Sequence, residues 1–524
     1  MKGTCGCEKK GVSRLNRMEK FICIHGHFYQ PPREDPWSGV VEEQPSAQPF
    51  HDWNERITKE CYAPNARSPI LGADQQSEII LNNYAKINFN FGPSLLNWMQ
   101  EAAGDIYQDI LDADRLSQQQ FSGHGAAIAQ GYNHMILPLA NPRDQRTQVI
   151  WGIKDFEHRF HRYPEAMWLP ETAVDILTLE VLAEFGMGYV ILAPVQAQSV
   201  RRGFLRKWKN VTKDTLDTRQ PYRCHLPSGK KIAVFFYDGG IASDIAFHGL
   251  LHNGEDFVQR LLRAFPSASQ QARLVHVATD GESYGHHHPF GNMALSYCLR
   301  NLEKRADLRL IVYGEFLERF PPTREVRIHE NSAWSCDDHL ARWGQRTKLS
   351  ASVAEGEVKN DWRVCFKEAL DRLRDELAGI YEQDMRKFFA SPWEVRDGYI
   401  EVLLNPSKES TKEFFQKQAK AVLSDEHVQR SRLLLEMQRM AMLMFTSCGW
   451  FFEDISRIES IQVMKYAARA IEIAKELTGR DLEPDFLSSL ELAASSSKNY
   501  KNGAEIYKEF IFSRKAQQQI IQSG

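Results

Sequence analysis

The feature that most constrains this chain is an alternation. Between residues 21 and 313, short apolar runs recur at 21–25, 87–91, 126–130, 166–169, 189–192, 232–237, 274–279 and 310–313. Each is four to six residues long, the length of a strand rather than of a helix. Longer amphipathic stretches separate them, the clearest at 147–160, 176–185, 256–264 and 293–305. Parallel strands need a crossover of about a dozen residues or more, and a helix supplies it. The pattern therefore predicts an α/β unit with a parallel sheet, open or closed into a barrel.

Beyond about residue 346 the strand signals stop. Trp362, Phe366, Leu370, Leu373, Leu377 and Ile380 recur at three- and four-residue spacing, as one helix face does. Two more helices are expected at 433–445 and 460–477, the second ended by Gly479 at a C-cap. The stripe of Met437, Met440, Met442 and Met444 reads as core, and 350–357 as a linker. The expected organisation is a disordered extension over 1–20, an α/β unit over 21–346 and an all-helical domain over 347–524. The basic segment 194–223, with Arg201, Arg202, Arg206, Lys207, Trp208 and Lys209, reads as a solvated surface insertion; a lid or acceptor-site loop is the alternative.

Charge and cysteine usage narrow the partners. Lys and Arg number 65 against 68 Asp and Glu, a net charge of −3, which argues against nucleic acid or an acidic membrane surface. No apolar stretch approaches the roughly 18 residues of a membrane span. The nine cysteines are scattered, with no CxxC pair, so reduced thiols and a cytoplasmic setting are expected. Residues 1–20 hold six basic and two acidic residues but no apolar signal core. They are either a disordered extension, with Cys5 and Cys7 in a loose tail, or lie upstream of a natural start at Met18. No motif calls for a cofactor or a metal, and none specifies an oligomeric state.

Chemistry concentrates where the strands end, which is where parallel barrels keep their active sites. The first strand runs into His25-Gly26-His27-Phe28-Tyr29-Gln30-Pro31, the third into Gln130-Gly131-Tyr132-Asn133-His134, and the fourth into Trp168-Leu169-Pro170-Glu171. The sixth ends at Asp238-Gly239-Gly240 and the seventh at Asp280-Gly281-Glu282-Ser283-Tyr284-Gly285-His286-His287-His288. Carboxylates, imidazoles and aromatic rings in one mouth suit a sugar. Glycoside hydrolysis needs two carboxyl groups flanking the bond, one of them kept protonated. Glu171 and Asp280, each directly ending an apolar strand, form the best pair, and an aromatic neighbour such as Trp168 would raise a carboxyl pKa. His25, His27, Asp280 and 286–288 also compose an alternative metal site for a deacetylase-like hydrolase. A non-catalytic glycan-binding barrel is the third reading. Cys336 beside His339 is not read as a nucleophile pair, because adjacency in sequence is not hydrogen-bond geometry.

On these residues the sequence resembles glycoside hydrolase family 57, over roughly residues 21–475. His25-Gly26-His27 with Gln30-Pro31, the stretch 123–139 with His134, Trp168-Leu169-Pro170-Glu171, Asp280-Gly281-Glu282-Ser283-Tyr284-Gly285 and Thr446-Ser447-Cys448-Gly449-Trp450 are similar to the five regions of that family. The His-Gln-Pro run is split here by Phe28-Tyr29, and Ala126 or Ala127 stands where an acidic residue is usual. The blocks 25–34, 51–56 and 330–343 resemble one uncharacterised branch. The resemblance implies a (β/α)7-type barrel followed by helices and a retaining double displacement on α-glucan-type chains. Glu171 would be the nucleophile and Asp280 the general acid/base, with carboxyl groups about 5–5.5 Å apart. Transfer to a sugar acceptor is the alternative to hydrolysis. It further implies that His25, His27, Gln30, His134 and Asp238 bind substrate hydroxyls, that Trp168, Tyr284 and Trp450 stack on sugar rings, and that Glu282 and His286 tune Asp280.

Overall fold

The computed structural model describes residues 19–71, 77–203, 206–266, 273–335, 339–346 and 361–512. The tail with Cys5, Cys7 and Met18, the 350–357 linker and Cys336 lie outside them. Seven parallel strands, labelled in chain order, form the first unit: β1 Lys20–Phe28, β2 Asn88–Phe91, β3 Ala129–Gln130, β4 Met167–Trp168, β5 Tyr189–Leu192, β6 Lys231–Phe236 and β7 Arg273–Asp280. β1 pairs with β7 from Lys20↔Arg273 to His27↔Asp280, and with β2 from His25↔Asn88 to Phe28↔Phe91. Phe89 bridges Ala127, β3 pairs with β4, Ala166 bridges Tyr189, and β5 pairs with β6. The Asp238 N–H donates to the His276 carbonyl at 2.8 Å, which brings β6 back to β7. The sheet is thus a closed (β/α)7 barrel, and every strand in it points its carboxyl end at the same mouth.

Local chemistry explains the elements. Residues 21–28 of β1 are all buried, as a strand covered on both faces requires. The helix Pro142–Phe160 starts on an Asn141 cap with Pro at its first turn and stops at left-handed His161. Asp238 likewise caps the helix Gly239–Phe247 by accepting from Ile241 N at 3.0 Å.

Three expectations change. The run 310–313 is a strand only at Arg309–Leu310; Tyr313 opens the helix Tyr313–Arg319. A strand at Arg324–Ile328 went unread. The basic segment is not simply a solvated insertion. Ala197–Arg201 pairs antiparallel with Arg324–Ile328, which runs parallel to Tyr222–His225, itself hydrogen-bonded to β6. This side sheet buries Ala197, Ser199, Leu216 and Tyr222. Trp208 lies between the guanidinium groups of Arg201 and Arg327, at 4.6 and 4.4 Å from its ring, so part of the basic charge is used for packing.

From Trp362 onward the described chain is helical. Trp362–Met385, Asp425–Leu443 and Ile458–Thr478 pack around one core that takes in Met437, Met440, Met442 and Met444. Gly479 is the left-handed C-cap. Among the described residues no helix is long and apolar enough to cross a membrane.

Candidate active site

Backbone geometry at the mouth is unusual. His134, Glu171 and Thr172 all have positive φ (54°, 58° and 51°), a conformation few non-glycine residues adopt without support. At Glu171 the support is visible. Gln196 is fully buried; its amide N–H donates to the Thr172 and Ser332 carbonyls at 2.8 and 3.0 Å, and its oxygen accepts from Ala193 N at 2.8 Å. The Thr172 hydroxyl donates to the same oxygen at 2.9 Å, and Trp334 N–H donates to the Glu171 carbonyl at 3.1 Å. The turn is therefore clamped, and the Glu171 side chain projects at a fixed angle.

Glu171 Oε2 accepts two hydrogen bonds, from Trp334 Nε1 at 2.9 Å and from Ser335 Oγ at 2.7 Å. Burial pushes its pKa up, while Ser335, Trp334 and the positive charge of Arg342 oppose that. Asp280 differs. It ends β7 in an open position, yet it is crowded by protein on its other sides. Its pKa lies well above the usual range because of burial, then of the charges on Glu171 and Glu282. Glu282 Oε1 accepts from Tyr62 Oη at 2.6 Å and Gln30 Nε2 at 3.1 Å. The result is an asymmetric pair: one carboxylate held by donors, one carboxyl surrounded by negative charge.

Beneath the pair lies a stack of neutral histidines. His25 and His27 each lie on the Trp168 ring, at 4.8 and 4.9 Å and nearly parallel. Asn90 orders them: its amide N–H donates to His27 Nδ1 at 2.9 Å and to Gln130 Oε1 at 2.8 Å, so its oxygen accepts from His25 Nε2 at 3.1 Å. His27 Nε2 then donates to His134 Nε2 at 3.1 Å, and His134 Nδ1 to Ser447 Oγ at 2.6 Å. Burial depresses His25 and His27 to about 3 and His134 well below its ordinary value. Three buried polar atoms in this group, His25 Nδ1, Gln130 Nε2 and Trp168 Nε1, have no protein partner among the described residues.

The remaining expected residues are placed as follows. Gln30 bridges Glu282 and Arg33. Asp238 spends a carboxylate oxygen on its helix cap. His286 turns away to Glu60 and reaches Glu282 only through its charge. Packing covers all three rings assigned to stacking. Tyr284 is fully buried and its hydroxyl accepts from Thr279. Trp450 is 3% exposed, with Phe445 and Phe366 against its ring and its N–H donating to the Arg363 carbonyl. Trp168, 1% exposed, already carries two imidazoles. The metal alternative is not assembled: His27 bonds Asn90 and His134, His286 bonds Glu60, and no cluster of three metal-binding side chains exists among the described residues.

Sequence reasoning missed Asn90, Tyr62, Trp334, Ser335 and Arg342. Asn90 left a signal, as a polar residue inside the apolar run of β2. The fifth region contributes through Thr446, bonded to Tyr29 Oη at 2.9 Å, and Ser447 rather than through its tryptophan.

A barrel mouth with this carboxyl pair and this histidine stack defines a carbohydrate-active enzyme class, and the sequence model for glycosyl hydrolase family 57 matches residues 24–329. The chain belongs to glycosyl hydrolase family 57. A second model, a domain of unknown function named DUF3536, matches residues 359–522. No curated protein matches the chain. Among solved structures it is similar to an exo-type maltose-forming amylase from Pyrococcus sp. ST04, at 14% identity and TM-score 0.70, covering 97% of this chain and 94% of that one. It is also similar to a branching enzyme from Pyrococcus horikoshii, at 16% identity and TM-score 0.53, covering 95% and 94%. A 4-alpha-glucanotransferase from Thermococcus litoralis matches at 16% and 0.51, covering 87% and 60%. These likenesses establish the shared fold.

Proposed function

We propose that the protein is a retaining glycosidase for α-glucan-type oligo- or polysaccharides. The observation that carries this reading is the asymmetry of the carboxyl pair. Glu171, held by two donors, is suited to be the ionised nucleophile; Asp280, whose pKa is pushed up, is suited to be the acid. Glu171 bonds to the anomeric carbon as the glycosidic C–O bond breaks, and the Asp280 proton passes to the leaving oxygen. Asp280, now ionised, takes a proton from the incoming hydroxyl, whose oxygen displaces Glu171 and regenerates both groups. Water as acceptor gives hydrolysis and a sugar hydroxyl gives transfer. Solved structures of the same fold carry amylase, branching-enzyme and glucanotransferase names, which supports an α-glucan substrate and both outcomes.

Glu171→Gln is expected to lower turnover of maltooligosaccharides by at least about a thousandfold, judged by how much catalytic carboxylates contribute, with an unchanged melting profile. NMR of the fresh wild-type product should show the α-anomer first. Turnover by the Gln variant at the wild-type rate, or initial β-anomer, would overturn the reading.

A further inference from the structure

The segment 330–346 falls between the two family matches, after 329 and before 359, yet both donors to Glu171 Oε2 lie in it. Trp334 and Ser335 grip one oxygen, and among the described residues Oε1 takes no hydrogen bond, so it is the oxygen left to react. Its described parts, 330–335 and 339–346, are anchored on two sides. Ser332 bridges Val174 and accepts from Gln196 on the barrel side. On the other side Arg342 Nη2 donates to the Ser335 carbonyl at 3.1 Å, while its Nη1 donates to the Phe451 carbonyl of the helical domain at 3.2 Å. The guanidinium lies 5.0 Å from the Phe451 ring centre. Phe451 is 37% exposed and directly follows the Thr446–Trp450 stretch that meets His134 and Tyr29.

We propose that Arg342 is a positioning residue for Glu171, acting through Ser335, and that it ties the nucleophile to the helical domain. The proposal rests on the reading of Glu171 as nucleophile. Arg342 acts on Glu171 in two ways. Its grip on the Ser335 carbonyl fixes the hydroxyl that bonds Oε2, and its charge favours the ionised carboxylate. In the glycosyl-enzyme Oε2 becomes the ester carbonyl oxygen. The same two donors then stabilise Glu171 as it departs, so the arrangement serves both halves of the reaction. A residue serving only as a domain staple would affect stability without affecting the ionisation of Glu171.

The test uses the full chain and a covalent probe, an α-gluco-configured cyclitol epoxide, with labelling followed by intact mass and the site mapped by peptide mass. The pH dependence of the labelling rate is compared for wild type, Ser335→Ala, Trp334→Phe, Arg342→Met and Arg342→Lys. Trp334→Phe keeps an aromatic ring against Trp168 while removing one donor, which guards against a variant that fails to fold. Wild type should label on Glu171, and Glu171→Gln should not. Ser335→Ala and Arg342→Met should each label roughly ten- to a hundredfold more slowly, as loss of a hydrogen bond to a charged group implies, and their acid limb should move to higher pH. Arg342→Lys should restore the position of that limb, and the Ser335→Ala/Arg342→Met double variant should fall short of the product of the two single losses. Labelling on Glu171 with an unmoved acid limb in Arg342→Met and Ser335→Ala would overturn the positioning role alone. Failure of Glu171 to label, with label found on another carboxylate, would overturn the nucleophile reading and the proposal with it.

Discussion

The Asp280 pKa is pushed up by the protein packed around it and then by the negative charges of Glu171 and Glu282, and Glu282 itself accepts from Tyr62 and Gln30. Replacing Glu282 by Gln removes one of those charges. The Asp280 pKa should then fall, the acid should lose its proton at lower pH, and the basic limb of the kcat/KM profile should move down by about one unit. A basic limb that stays in place would show that Glu282 does not act on Asp280. The histidine stack makes a separate prediction, about stability. His25 and His27 bind a proton only at about pH 3 when folded, against about 6.5 when unfolded. With the folded value depressed, the unfolded chain binds more protons as pH falls. Their contribution is fully present above about pH 6.5 and is lost below it, each adding a slope of about 1.4 kcal/mol per pH unit. Urea unfolding between pH 7 and 4 should show this loss, and His25→Asn/His27→Asn should flatten it.

Among the elements, β7 and the turn after it show how little room the site leaves. A Cβ at Gly281 would lie 2.3 Å from the Phe28 ring, inside the packed end of β1. Gly281→Ala should therefore cost about 1–3 kcal/mol, as overpacking does, and should lower activity further by shifting Asp280. A thermal scan with a parallel assay checks both, and a fully active, unshifted variant would contradict it. The same region explains what was legible. Strand ends were found because Glu171 and Asp280 follow apolar runs directly; of the helices, Ile458–Thr478 was found by its spacing and its Gly479 C-cap, and Pro142–Phe160 by its spacing from 147 onward, its Asn141 cap going unread. The strand Arg324–Ile328 carries three charged residues in five, Arg324, Glu325 and Arg327, and the pairing of Ala197–Arg201 with it spans more than a hundred residues of sequence. Such pairing is decided by tertiary context rather than by propensity. The ring faces of Trp450 and Tyr284 were misassigned for a related reason: a motif places a side chain near a mouth but does not say which neighbours cover it. Trp334 and Ser335 were invisible because their partner, Glu171, is 163 and 164 residues away.

At the scale of the whole molecule, the two halves meet at the histidine stack of the barrel mouth and at a buried ion pair. The helical domain supplies Thr446 and Ser447 to the histidine stack, and Ser447 N–H donates to the His134 carbonyl at 3.0 Å. On the flank, Arg396 of the helical domain pairs with Asp144 of the barrel helix at 2.7 Å, with side chains only 2% and 6% exposed. Arg396 also donates to Thr147 and Gln438, and Trp151 Nε1 donates to the Arg396 and Asp397 carbonyls. A pair this buried acts mainly through what happens when half of it is removed. Arg396→Ala leaves Asp144 uncompensated and should lower stability by about 3–5 kcal/mol, whereas Arg396→Met combined with Asp144→Leu should recover most of the loss. Because the halves are joined through both the pair and the site, wild-type urea unfolding is expected to be a single transition whether followed by tryptophan fluorescence or by far-ultraviolet circular dichroism. Arg396→Ala should bring that transition to lower urea and reduce activity in step. Two transitions in the wild type would instead mean that the barrel and the helical domain fold separately and that the site is assembled only by their docking.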